Sequence, residues 1–158
     1  MRLTVVPMLA LLALAACGER GDAPASTDTP TSDARPSAPV VLTAADLRRV
    51  CRAGLANIHG QALDAIQIDG VEGKVINASW RAPVDGGRRR AQCRTENDRL
   101  TWKQVDSPTP EQNRWMNQSG DPVTRFVLDG EKITINTTLP DGTNTTDDYT
   151  VAAEQEAR

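Results

Sequence analysis

The sequence predicts an α+β domain in which one N-terminal helix packs on one face of an antiparallel meander sheet of about six to seven strands. Apolar residues recur at helical spacing between Thr43 and Gly60. After the helix the apolar period changes to two, and turn residues recur at intervals of roughly ten positions. Cys51 and Cys93 fall on inward-facing positions of the helix and the sheet. One sheet face should therefore be covered by the helix and the other should face water.

The helix has a recognisable start and end. Thr43 is the expected N-cap, and Asp46 stands three residues later as in a capping box. Gly60 is the expected C-terminal stop. The inward face is predicted to consist of Leu47, Val50, Cys51, Gly54, Leu55 and Ile58, and the residues expected to point away from it are Arg48, Arg49 and Arg52.

Alternation places the first four strands at 65–69, 74–81, 88–94 and 99–105. Their inward residues are predicted to be Ile76, Ala78, Trp80, Ala91, Cys93, Leu100 and Trp102. Asp129-Gly130 suits a type I′ hairpin, with Leu128 opposite Glu131, Phe126 opposite Ile133 and Thr124 opposite Ile135. Pro140-Asp141-Gly142 is expected to turn into a final strand that carries Tyr149 and Val151.

The N-terminus has the layout of a secretory signal, predicted over residues 1–16. Its apolar stretch is shorter than the roughly 20 residues that a membrane-spanning helix needs. The cleavage site, Leu14-Ala15-Ala16-Cys17, resembles the lipobox of bacterial lipoproteins. That resemblance implies lipid on Cys17 and attachment to a membrane, which two or more acyl chains make stable. In Gram-negative lipoproteins an aspartate after the cysteine favours the inner membrane, so Gly18 indicates the outer membrane, facing the periplasm.

The composition of the remaining residues indicates three segments: a tether, a domain and a tail. Residues 17–41 are rich in Pro, Ala, Ser and Thr and predict a disordered tether behind the lipidated cysteine. Residues 42–152 predict a single domain, and residues 153–158 a disordered tail. With Cys17 assigned to lipid, an even pair of cysteines remains in an oxidising compartment, which predicts a Cys51–Cys93 disulfide. A reactive dithiol is disfavoured because the spacing is far from Cys-X-X-Cys.

From Cys51 onward the chain also resembles small exported domains of proteobacteria that have no assigned activity. The matching pieces follow a helix that bears one cysteine, and they are Trp80-Arg81-Ala82-Pro83, Asp85-Gly86, the Arg-rich strand from Arg88 to Cys93, and Leu100-Thr101-Trp102. This resemblance implies the fold and no particular function.

Residues with catalytic potential are few. His59 is the only histidine and stands at the helix end, where a capping or solvated role is expected. The sequence contains no nucleophile elbow, no glycine-rich phosphate loop, and too few His and Cys residues for a transition-metal site. We therefore expect a protein that is not an enzyme and has no metal or cofactor.

Two features predict recognition. Alternation places Arg88, Arg90 and Arg94 on the exposed sheet face, where they could bind anionic lipid headgroups, lipopolysaccharide phosphates or an acidic protein patch. A solvated face partly offset by acidic neighbours is the alternative for these arginines. Trp115 lies in a long connection, 106–122, either as part of the core or as a platform for a ligand.

The leading functional hypothesis is a membrane-anchored, non-catalytic binding or scaffolding module of the cell envelope. One alternative is a small exported inhibitor of a lysozyme or protease, with 106–122 as the inserting loop. The other is an enzyme that acts through two converging carboxylates. A net charge of −3 gives no support for nucleic-acid binding.

Overall fold

The computed structural model describes residues 41–153. The expectations for the signal peptide, for Cys17 and for the tether up to residue 40 lie outside the described residues, as does the tail from residue 154. The described part is one helix packed on a seven-stranded antiparallel sheet, as the sequence predicts.

Helix α1 spans Ala44–His59 and has the predicted caps. The Thr43 hydroxyl accepts a hydrogen bond from the backbone N–H of Asp46 at 3.1 Å. Gly60 adopts a left-handed φ of 59°, and its N–H donates to the carbonyl oxygens of Ala56 and Asn57. A glycine adopts this conformation without the steric cost that a Cβ adds, so the helix ends here.

The sheet is a simple meander, because each strand pairs with the next one along the chain. Its strands are β1 (Gln67–Glu72), β2 (Val75–Arg81), β3 (Arg88–Glu96), β4 (Arg99–Gln104), β5 (Val123–Asp129), β6 (Lys132–Thr138) and β7 (Asn144–Thr150). Strand β1 begins later than the sequence predicts because Leu63–Ala65 forms a 3₁₀ turn, and it continues through an irregularity between Ile68 and Gly70.

The core lies between α1 and the inner face of the sheet. The predicted disulfide is present: Cys51 of α1 and Cys93 of β3 are both fully buried, with their Cα atoms 5.8 Å apart. Gly54 contacts Leu100 closely, so the helix backbone approaches β4 where a Cβ would not fit. The largest fully buried aliphatic side chains are Val50, Leu55, Ile66, Ile76, Ile133, Ile135 and Val151.

The predicted register of the β5–β6 hairpin is wrong by two residues. Asp129 pairs with Lys132, so the turn residues are Gly130 and Glu131, and Phe126 lies opposite Ile135. Gly130 occupies the first turn position with φ 58°, whereas a type I′ turn at Asp129-Gly130 would also place an aspartate at positive φ. The observed register also places Thr124 opposite Thr137, with their hydroxyls 3.3 Å apart. A shift of two leaves the same residues on the inner face.

Arg49 does not point away from the core, contrary to the prediction. It is only 3% exposed. Its Nε donates to the Val151 carbonyl at 2.8 Å and its Nη2 to the Gly130 carbonyl at 2.5 Å, while Nη1 forms an ion pair with Asp46 at 3.1 Å. The guanidinium therefore joins α1 to the β5–β6 turn and to the residue after β7.

Candidate binding surface

The outer face of the sheet, the one opposite α1, carries the predicted cationic residues. In β3 the side chains of Ala91 and Cys93 are buried beneath the helix, so their alternating neighbours Arg88, Arg90 and Arg94 project from the opposite face. The register places Gln92 of the same face opposite Lys103 of β4. Sequence reasoning missed Lys103, although alternation outward from the inward Trp102 would have found it. We call Arg88, Arg90, Arg94 and Lys103, with the nearby Trp115, the cationic surface.

The arginines of the cationic surface differ in their contacts. The Arg88 guanidinium donates to Asp69 at 2.9 Å and to the Ser79 hydroxyl at 2.7 Å, so its charge is offset within the domain. Arg90 is exposed, and its guanidinium forms no hydrogen bond or ion pair within residues 41–153. Its backbone N–H donates to Asp106, and its backbone carbonyl accepts from Val105. The structure therefore offers Arg90, more than Arg88, for a contact outside the domain.

Trp115 lies at the other end of this surface and outside the core cluster. The guanidinium carbon of Arg94 is 4.3 Å from the centre of the Trp115 ring, and Lys103 Nζ is 5.2 Å from it. Both distances are within the range of a cation–π contact. The Glu96 carboxylate lies 3.5 Å from Arg94 Nη2 and partly offsets its positive charge. No carboxylate in the described residues forms an ion pair with Lys103. Trp115 is thus a half-buried ring between two cations.

The connection from β4 to β5 holds Trp115 in place. The strands pair only at Arg99 and Leu100 of β4, and beyond this point the Met116 N–H donates to the Trp102 carbonyl at 2.8 Å. Two hydrogen bonds of 2.7 Å join Arg114 to Asp121 across the loop. The Arg114 hydrogen bond is the main reason that the pKa of Asp121 falls to about 2. The loop is therefore fixed to the edge of β4, with its exposed tip at residues 117–120.

His59 does not have the predicted capping or solvated role. Its ring lies against two indoles, with centroids 4.4 Å from Trp80 and 4.5 Å from Trp102. Burial lowers the pKa of His59 to about 4, and its Nε2 atom is buried without a hydrogen-bond partner in the described part of the chain. The ring is therefore neutral at pH 7 and packs as an aromatic side chain at the end of the core.

Two further carboxylates in the described residues have lowered pKa values, so they remain ionised at lower pH than a free aspartate. The main cause of the lowered pKa is a hydrogen bond from Thr143 for Asp141 and from Thr134 for Asp148.

No group of three or more His, Cys, Asp or Glu residues within 41–153 is placed to hold a metal ion. Across the same residues, no helix has both the length and the apolar character that crossing a membrane requires.

Comparison of the chain with protein-family models, curated proteins and solved structures finds no match.

Proposed function

We propose that this domain is a non-catalytic binding module, carried on a lipid-anchored lipoprotein of the cell envelope, that recognises an acidic group through its cationic surface. The observation that supports it is the projection of four cations from one face of two neighbouring strands, of which Arg90 and Lys103 form no ion pair with a carboxylate in the described residues. Charged donors without internal partners can form charge-assisted hydrogen bonds to a carboxylate or phosphate.

Rigidity also favours a binding role. The loop that carries Trp115 is fixed by the Arg114–Asp121 pair and by its hydrogen bond to β4. Little conformational entropy is lost when a partner binds a surface that is already ordered. Trp and Arg side chains are also the types that most often dominate the energy of an interface. The half-buried Trp115 and the exposed Arg90 are therefore the residues expected to contribute most.

The test is a crosslinking pull-down from envelopes with a variant in which Arg90→Ser and Lys103→Ser are combined. Loss of two charged hydrogen-bond donors should weaken binding by on the order of 100-fold. The matched control combines Arg125→Ser with Lys132→Ser, which removes the same charge from β5 and β6. Both of these cations are paired with carboxylates, Asp98 and Asp148 respectively.

A partner captured by the control and lost by the Arg90 and Lys103 variant supports the proposal. Equal capture by both variants, or equal loss, contradicts it, because the position of the charge would then not matter. If the captured protein is a hydrolase and its rate falls on binding, the inhibitor alternative replaces the scaffold one.

Lipid attachment is part of this proposal and has its own test. Replacement of Cys17 by alanine removes the thiol that a lipobox resemblance predicts to be acylated. The variant should leave the membrane fraction, whereas Cys51→Ser with Cys93→Ser should not release it. Retention of the Cys17→Ala variant in membranes would contradict anchoring through this residue.

A further inference from the structure

Strand β7 forms one long edge of the sheet. It pairs with β6 along all seven residues from Asn144 to Thr150 without a shift in register. Within residues 41–153, no strand pairs with its other side. The edge is therefore a regular row of backbone groups on the open side of the strand.

The register identifies which backbone groups face outward. At one end Leu139 donates to the Thr143 carbonyl, and at the other Val151 donates to the Glu131 carbonyl. In an antiparallel pair, hydrogen-bonded positions alternate with positions whose groups point to the other side. The odd-numbered residues of β7 therefore bond to β6, and the outward N–H and C=O groups belong to Asn144, Thr146, Asp148 and Thr150.

The opposite edge of the sheet is less suited to accept a strand. Strand β1 has an irregularity between Ile68 and Gly70 that interrupts its ladder. Bulges, prolines and charged side chains, especially lysines, are the usual devices that discourage pairing at an edge. Strand β7 has no bulge, proline or lysine, and its pairing with β6 is regular. Its protection is limited to two acidic side chains, Asp147 and Asp148, which repel an acidic strand and attract a basic one.

Charge identifies the kind of segment that fits. Residues 123–153 carry five acidic and two basic side chains. At the centre of β7, Asp148 forms an ion pair with Lys132, whereas the partner of Asp147 among residues 41–153 is the Asn57 amide, at 2.6 Å. Opposite charges across adjacent strands stabilise pairing and like charges weaken it. A second copy of β7 would place one acidic strand beside another.

We propose that β7 binds an extended, basic segment of a partner protein by strand addition, with its lysine or arginine side chains beside Asp147 and Asp148. Main-chain hydrogen bonds to the outward groups would supply affinity, and the two aspartates would supply selectivity. This site lies on a different part of the sheet from the cationic surface, so either proposal can be contradicted without affecting the other.

The test is an NMR titration of the ¹⁵N-labelled full chain with a capped nine-residue peptide of alternating threonine and valine that has two central lysines. The amide signals of Thr146, Asp148 and Thr150 should shift most. A peptide with glutamates in place of the lysines should bind about tenfold more weakly, since two favourable cross-strand pairs become repulsive.

Three variants make the test specific. Thr146→Pro removes an outward N–H while keeping the backbone hydrogen bonds to β6, although the hydrogen bond from its hydroxyl to Asn136 is lost, and binding should weaken about fivefold. Asp147→Asn should weaken binding of the lysine peptide about threefold. Asp141→Asn makes the same charge change in the turn before β7 and should leave binding unaltered; circular dichroism checks that all three variants fold.

Selective binding of the lysine peptide, with the expected order of variants, supports the proposal. Equal shifts with both peptides, or no shift in β7 with either, overturns it. Shifts of the β7 signals with protein concentration alone would also overturn it, because the occupant would then be a second copy of the chain.

Discussion

Lowering the pH from 7.5 to 5 should destabilise the domain through His59. Unfolding exposes the imidazole, whose pKa returns from about 4 to 6.5, so the unfolded chain binds a proton that the folded chain does not. The stability that the neutral His59 ring contributes is therefore fully present above pH 6.5 and is lost as the pH falls from 6.5 toward 4. These two pKa values correspond to a loss of about 2 kcal/mol at pH 5.

Two other effects have to be separated from this loss of stability through His59. The indoles of Trp80 and Trp102 would attract a protonated ring through their faces, which offsets about 1 kcal/mol of the loss. Carboxylates act in a lower window: those of Asp121, Asp141 and Asp148 have lowered pKa values, so their contribution is lost as the pH falls below about 4. Because His59 is the only histidine, the interval from pH 6.5 to 5 reports mainly on it.

The assay is urea denaturation at pH 7.5 and 5 for the natural chain and for His59→Phe, which keeps an aromatic ring and cannot titrate. The natural chain should lose about 1 to 2 kcal/mol more than the variant. Titration of the His59 ring signals by NMR measures the pKa directly. An equal pH dependence of the two proteins, or a pKa of 6.5 or above, would refute the reasoning.

Three further substitutions test the packing by denaturation under identical conditions. Replacing Cys51 and Cys93 with serine should cost about 4 kcal/mol from loop entropy, and reduction of the natural chain should cost the same; a loss below about 1 kcal/mol would count against the bridge as a stabiliser. Arg49→Met should cost about 2 kcal/mol because the buried Val151 carbonyl loses its donor, and an Arg49→Met chain as stable as the natural one would disprove this role. Gly54→Ala gains about 1 kcal/mol of helix propensity but overpacks Leu100 by about 1 to 3, so a net loss is expected and a net gain would show that Leu100 moves freely.

The fold followed from local patterns. Helix α1 was predictable because its caps, Thr43 and Gly60, act within one turn of the chain. Alternation placed Cys93 on the buried face, and the disulfide with Cys51 is present. Where a choice depended on two strands at once, the prediction was wrong: the observed β5–β6 register pairs Thr124 with Thr137, and this contact cannot be seen from the Asp129-Gly130 turn alone.

Side-chain contacts between distant elements account for the remaining differences. The periodicity of α1 predicts that Arg49 points away from the apolar face, and only the position of the Val151 and Gly130 carbonyls shows that the guanidinium is buried. The same holds for His59, whose two indole neighbours come from β2 and β4. In the candidate site, alternation predicted correctly that Arg88, Arg90 and Arg94 lie on the outer face of the sheet. Their acidic and aromatic partners depend on long-range packing.

Photocrosslinking in intact cells tests the central claim most directly. A photoreactive residue in place of Gln92, which lies between Arg90 and Arg94 on the outer face of β3 and opposite Lys103, should form a covalent adduct with the partner. The same residue in place of Val127, which is 57% exposed on the outer face of β5, is the control. An adduct from position 92 and none from position 127 is the predicted result. No adduct at position 92, or equal adducts at both, would contradict binding through the cationic surface.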